Sequence, residues 1–206
     1  MTPDDLPPDT GFLRPADPSP EAEQLFADDR QEAGYVMNLS HAWAHRPVAQ
    51  QRLMDQLREA AAAAGLSYRQ RGILVAASAA GLRDPHCSLA WGRRLATEAG
   101  DEVAAAVLRG DDDVLEPGER ALARWARQLA TDPSGTTAAD VEALRAAGLD
   151  DAQILAMTVF VALRIAFSTV NDALGARPDV QLVTAAPEVV RRAVTYGRPA
   201  ATRASP

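Results

Sequence analysis

Helix punctuation runs through this chain with few gaps and leaves little room for any other element. Proline recurs where a helix would begin and glycine where one would end. Proline's missing N–H costs nothing in a first turn, and glycine accepts the left-handed turn that closes a last one. Pro20 and Glu21 open a short helix with acids in its first turn. An apolar stretch from Tyr35 to Ala44 stops before Pro47, the first-turn proline of a long helix closing at Gly65. Ser67 with Gln70 makes a capping box for a helix ending at Gly81, and Asp84 with Pro85 supplies the N-cap and first residue of one running to about Gly100. A shorter helix, Asp101 to Leu108, is closed by Gly110, and Glu116 starts one with Leu122, Trp125, Ala126 and Leu129 on one face. Thr137 with Asp140 caps a helix ending at Gly148, and Asp150 with Gln153 caps a long apolar one ending at Gly175. Pro187 opens a last short helix that ends at Gly197, and no alternating strand pattern appears anywhere. The expected fold is all-α, a bundle of about eight to ten helices.

Composition agrees. Alanine fills roughly a fifth of the chain, well above ordinary usage, and small side chains let helices approach closely. The 206 residues suit one domain, expected over 20–197. Before it, residues 1–19 carry Pro3, Pro7, Pro8, Pro15 and Pro18 and read as a flexible extension; residues 198–206 read as a loose tail. All 21 basic residues are arginine, against 28 acids, for a net charge of −7. That balance argues against nucleic acid as a partner and against docking on an anionic membrane. A single cysteine excludes a disulfide scaffold, and the acidic, proline-rich start (MTPDDLPPDT) is not a signal sequence. With no apolar run of about 18 residues, the expectation is a soluble, cytoplasmic protein without a membrane partner.

Chemistry concentrates between Ser67 and Trp91. With Asp84 as N-cap, Cys87 is the third helical residue, so its backbone N–H is among the unpaired first-turn donors at the positive end of the helix dipole. Thiol pKa values fall at such places. The neighbouring carboxylate of Asp84 opposes that, and a small buried hydrophobe is the plainer reading of a free cysteine. His86 beside it titrates near neutrality. His41 and His45, four residues apart, share a helix face, but a single pair without a third ligand is weak evidence for metal, and no metal site is expected. Arg164 interrupts the apolar run FVALRIAF and shares a face with Ser168 and Asn171. A buried guanidinium needs a partner: an acid of this chain, of a neighbouring subunit, or of a ligand.

Three segments then carry a resemblance: GYVMNLSHAWAHRP, LSYRQRGILVAASAAGLRDPHCSLAWGRRLATEAG, and the run from ERALARWARQLATDPSG to VNDALGARPD. From about Ala33 to Asp179 the chain resembles the carboxymuconolactone decarboxylase and alkylhydroperoxidase D-like superfamily. The resemblance implies an all-α fold, an active site on the helical hairpin from Ser67 to Gly100, and homo-oligomers, with a trimer or hexamer favoured over a dimer. Redox members of that family use a Glu, a Cys-x-x-Cys and a His. In this chain Gly72 stands at the Glu position, Asp84 at the first cysteine, Cys87 at the second and Trp91 at the histidine. Cys87 therefore lacks the intrachain partner that resolves a sulfenic acid in such peroxidases.

The leading expectation is a diverged enzyme acting on a small organic substrate, carboxylated or aromatic, by acid–base catalysis of the lyase or isomerase type. His86, Cys87 and Asp84 are the candidate catalytic residues. Trp91 and Arg164, with the space left at Gly72, are the candidate substrate contacts, and no cofactor is expected. The first alternative is a single-cysteine thiol peroxidase using Cys87. The second is a non-catalytic small-molecule-binding or scaffold protein.

Overall fold

Capping chemistry places the helices where the sequence marks them. Ser67 Oγ accepts from the Gln70 N–H at 3.2 Å while the Gln70 carboxamide accepts from the Ser67 N–H. Asp150 and Gln153 repeat the exchange, and the Asp140 carboxylate accepts from the Thr137 N–H at 2.8 Å. Each box satisfies two first-turn donors that would otherwise be orphaned.

The computed structural model describes residues 10–202. Among them are eleven α-helices and no strand: α1 (Pro20–Glu32), α2 (Asn38–Trp43), α3 (Pro47–Ala63), α4 (Tyr68–Leu82), α5 (Pro85–Ala99), α6 (Asp101–Arg109), α7 (Pro117–Thr131), α8 (Ala138–Ala146), α9 (Asp151–Ala173), α10 (Val180–Ala185) and α11 (Glu188–Ala193). The extra element relative to the sequence expectation is α10, two turns capped by Asp179, too short to show a period.

At the centre lies α4, packed by α5, α6, α7 and α9, so that every residue from Gly72 to Ala79 is buried. A helix surrounded on all sides must be apolar all round, which GILVAASAA is. The α4–α5 hairpin turns at Arg83 in the left-handed conformation (φ 62°), two residues beyond the glycine expected to end α4. Gly81 stays helical: a Cβ there would come 3.1 Å from that of Ala130 on α7.

The 23-residue α9 is long and apolar enough to cross a membrane, with a window of mean hydropathy 1.8. Here it packs on α3 and α4 and buries Arg164, Ser168 and Asn171 together with Ile154, Met157, Phe160, Val161 and Phe167. Its outer face stays apolar and uncovered, with Leu155 66% and Val159 41% exposed alongside exposed Ala152, Ala162 and Ala166.

The described parts of both terminal segments lie against the bundle. Thr10 is buried, and the Phe12 N–H donates to the Leu174 carbonyl at 2.8 Å. The Arg198 guanidinium stacks on the Phe12 ring at 4.8 Å, and the Ala201 N–H donates to the Pro178 carbonyl at 2.9 Å. This corrects the expectation of a loose tail as far as Thr202; residues 1–9 and 203–206 lie outside the described residues.

Candidate functional site

Asp84 caps α5 as its position before Pro85 requires, with Oδ1 accepting from the Cys87 N–H at 3.0 Å. Its other oxygen is buried without a hydrogen-bond partner. Cys87 is therefore in the first turn, but the turn is covered: the residue is 2% exposed and packs with Leu39, Ala79, Phe167 and Ala176. Burial pushes the thiol well above its ordinary range and the Asp84 charge adds to this, while Arg164 and Ser168 pull the other way. Burial outweighs the dipole. The small-hydrophobe reading describes Cys87 in this structure, and the activated-thiolate reading does not.

Across from it runs the polar face of α9. Arg164 is 9% exposed, and its Nη2 lies 3.9 Å from Cys87 Sγ. Its guanidinium carbon sits 5.0 Å from the Trp91 ring centre and 5.5 Å from that of Phe167. Nε has no hydrogen-bond partner, and no carboxylate among the described residues forms an ion pair with this side chain. No acid of the described subunit pairs directly with it, although the buried Asp84 charge favours the charged guanidinium. Two aromatic faces and a thiol take that place. Farther along α9, Asn171 accepts from the Trp43 indole N–H at 2.8 Å, and Trp43 stacks on Phe167 at 5.8 Å.

His86 joins the same cluster through a residue for which the sequence reading had no role. Its Nδ1 approaches Asp179 Oδ2 at 3.8 Å, with side-chain exposures of 11% and 0%. Asp179, the N-cap of α10, holds the Asn38 N–H at 2.8 Å through Oδ1. Burial drives both groups toward their neutral forms. His86 falls to about 4, chiefly by desolvation and further by Arg164 and Arg94, with Asp84 opposing. Asp179 rises to about 6, again chiefly by desolvation. Burial thus shifts the two groups in opposite directions, favouring a protonated carboxyl and a neutral imidazole. The lowering of His86 comes chiefly from its burial.

Gly72 requires a correction. The position is not open space facing the site: a Cβ there would lie 3.2 Å from Leu95 Cδ1 and 3.3 Å from Leu95 Cβ. It is a packing glycine where α4 meets α5, and it contributes nothing to a substrate wall. Trp91 is half-buried beside Tyr68, at 6.0 Å between rings. The imidazoles of His41 and His45 are occupied separately: His41 packs on Phe26 at 5.3 Å, and His45 Nε2–H donates to the Arg14 carbonyl at 2.9 Å. Two surface clefts, of about 560 and 310 Å³, lie away from this cluster, one at the start of α3 and one between α7 and α8.

Asp179, Arg94 and Phe167 are the site residues that sequence reasoning missed. Asp179 closes the run VNDALGARPD, and an Asp after proline reads as a cap; nothing local says that it meets a histidine 93 positions earlier.

No protein-family model and no curated protein matches the chain. Solved structures do. A peroxidase-related protein from Ralstonia eutropha JMP134, described as an alkylhydroperoxidase AhpD core, superposes with a TM-score of 0.72 at 22% identity, covering 84% of this chain and 94% of that one. A peroxidase-related protein from Silicibacter sp. TM1040 gives 0.72 at 18% identity, over 86% and 95% of the two chains. The chain has the AhpD-like fold. The debrominase Bmp8, solved as a cysteine-to-alanine variant with 2,3,4-tribromopyrrole, shares that AhpD-like fold at a TM-score of 0.67 and 14% identity, over 85% of this chain and 94% of its own.

Proposed function

We propose that the chain is an enzyme that moves a proton on a small organic substrate, with His86 and Asp179 as its acid–base pair. The observation that carries this reading is the 3.8 Å approach of two buried titratable groups whose surroundings shift them in opposite directions. Environments that separate the protonation states of neighbouring groups are how one site holds an acid and a base together. Asp179, at about 6, is the better matched to proton transfer near neutrality; His86, at about 4, stays neutral and accepts or relays the proton. Trp91 and Arg164 form the wall on which a substrate rests, and Asp84 holds the helix that carries His86 and Cys87. Lyase or isomerase chemistry suits such a pair.

A thiol-based reading, peroxidase or otherwise, has in its favour the first-turn position of Cys87 and its contact with Arg164. Against it stand the burial of the thiol and its raised pKa. The test is a turnover screen of small cyclic organic compounds, with and without peroxide and external thiol, followed by three variants. His86→Ala and Asp179→Asn lose roughly 10²–10⁴ in rate while Cys87→Ser keeps turnover. Loss of turnover in Cys87→Ser with full activity in the other two transfers the assignment to the thiol.

We also propose a homo-oligomer, in threes or a multiple of three, joined over the outer face of α9. Leu155 and Val159 stand out from that face among alanines, which let a second helix approach closely.

A further inference from the structure

Residues 194–202 follow α11 without forming a helix, and they run back across the start of α5 to the start of α10. Their burial alternates as in an extended segment: Val194, Tyr196 and Arg198 are half-buried, while Thr195, Gly197 and Pro199 between them are exposed. The Tyr196 and Ser88 hydroxyls share a hydrogen bond of 3.0 Å, and the Arg83 guanidinium lies 5.8 Å from the Tyr196 ring centre. Gly197 turns at φ 75° so close over α5 that a Cβ there would lie 2.4 Å from Pro85 Cδ. The Arg198 guanidinium donates to the Asp172 carbonyl at 3.2 Å and stacks on Phe12, and the Ala201 N–H donates to the Pro178 carbonyl at 2.9 Å. Pro85 and Pro178 are the residues immediately before His86 and Asp179, so the segment touches the chain next to each member of the pair. Those members are 8% and 1% exposed.

We infer that residues 194–202 are a strap closed over the His86–Asp179 pair, and that the strap lifts to admit substrate. What holds it shut is slight. Among the described residues it is fixed by the side chains of Tyr196 and Arg198, by the close seat of Gly197, and by one backbone–backbone bond, whereas each helix it crosses is bonded at every turn. Segments with so few bonds are the ones that open without unfolding the rest. The closed state also carries a cost. Asp84 Oδ2, Asp179 Oδ2 and Arg164 Nε are buried without a hydrogen-bond partner, and a substrate or water entering under a lifted strap can supply one. Lifting bares His86 and Asp179 but not Cys87, which Leu39, Phe167 and Ala176 cover from other parts of the fold. The inference rests on the proton-transfer reading for what the strap guards, and adds how a substrate reaches a buried pair. It is tested by access to His86, without turnover.

The experiment is carbethoxylation of the folded full chain with diethyl pyrocarbonate at pH 7, mapped by peptide mass to its three histidines. The reagent attacks neutral imidazole, the form that burial favours at His86, so its rate there reads access and not protonation. Exposed His45 sets the reagent rate, and His41, half-buried against Phe26, reports any general loosening. Tyr196→Phe removes the bond to Ser88, and Arg198→Ala removes the bond to Asp172 and the stack on Phe12. With its fold checked by circular dichroism, the double variant modifies His86 about tenfold faster than the parent, the combined worth of a hydrogen bond and a cation–π contact, while His41 and Cys87 keep their parent rates. Tyr196→Phe alone, one oxygen atom smaller, gives about a threefold rise and keeps the test readable where the double variant unfolds. In the parent, the His86 rate is flat in urea below the unfolding transition, because lifting a strap exposes little surface. An unchanged His86 rate in both variants, an equal rise at His41, or a parent rate that climbs with urea in step with global unfolding overturns the strap. A strap that opens as described, combined with full turnover in His86→Ala and Asp179→Asn, overturns the proton-transfer reading and leaves the strap standing.

Discussion

The His86–Asp179 pair makes a sharp prediction about stability against pH. Asp179 is raised from 3.8 to about 6, so its protonated form is favoured by folding. At 1.36 kcal/mol per pKa unit this is about 3 kcal/mol of stability, fully present below pH 3.8 and lost as pH rises through about 6. His86 is lowered from 6.5 to about 4, which is also about 3 kcal/mol, fully present above pH 6.5 and lost as pH falls through about 4. Over the shared window the two slopes oppose and nearly cancel. Burial favours the protonated carboxyl and the neutral imidazole, so the two contributions run in opposite directions with pH. Removing either partner uncovers the other's slope. Asp179→Asn copies the protonated carboxyl and can keep the Asn38 N–H bond, so its stability relative to the parent chain is about 3 kcal/mol higher near pH 7.5 than near pH 4. His86→Gln shows the reverse, gaining about 3 kcal/mol relative to the parent as pH falls over the same range. Urea unfolding followed by circular dichroism, at half-unit steps of pH, measures both. The differences between variants are the quantities to read, because packing offsets do not change with pH and other carboxylates cancel. A difference between Asp179→Asn and the parent that stays constant from pH 4 to 7.5 refutes the reasoning and with it the acid–base pair.

Cys87, 2% exposed and with its thiol raised, reacts with a disulfide reagent at pH 8 only when the chain is unfolded; rapid labelling or sulfenic acid formation in the native protein, seen by intact mass, contradicts its burial. Gly197→Ala destabilises by about 1–3 kcal/mol in denaturant titration, because φ is 75° and the new Cβ would meet Pro85 Cδ at 2.4 Å and the Arg83 carbonyl at 2.6 Å; an unchanged midpoint shows that this terminal segment does not hold the start of α5. Light scattering at micromolar concentration returns a multiple of the 21.9 kDa chain mass, and Leu155→Glu reduces it toward one; a monomer in the parent chain rejects the α9 interface.

Much of this protein was legible in one dimension because helix ends are local chemistry. The capping boxes at Ser67, Thr137 and Asp150 and the Asp84–Pro85 start of α5 depend on residues three apart, and all four stand where the sequence marks them. The all-α class followed from the same signals. So did the shared buried face of Arg164, Ser168 and Asn171, since spacing of three and four residues on a helix defines a face without knowledge of the neighbour. Spacing could not tell whether a first-turn cysteine is reactive. That depends on what covers the turn, and Phe167 and Ala176 arrive from about 80 residues away. Nor could it tell that Gly72 is filled by Leu95, that Arg164 faces rings in place of an acid, or that His86 meets Asp179. Periodicity and caps thus determined which segments are helices and which faces turn inward. Only the packing of α5 against α9 and the α10 cap decided the charges at the site, because desolvation and Coulomb energies depend on distances in space that no separation along the chain records.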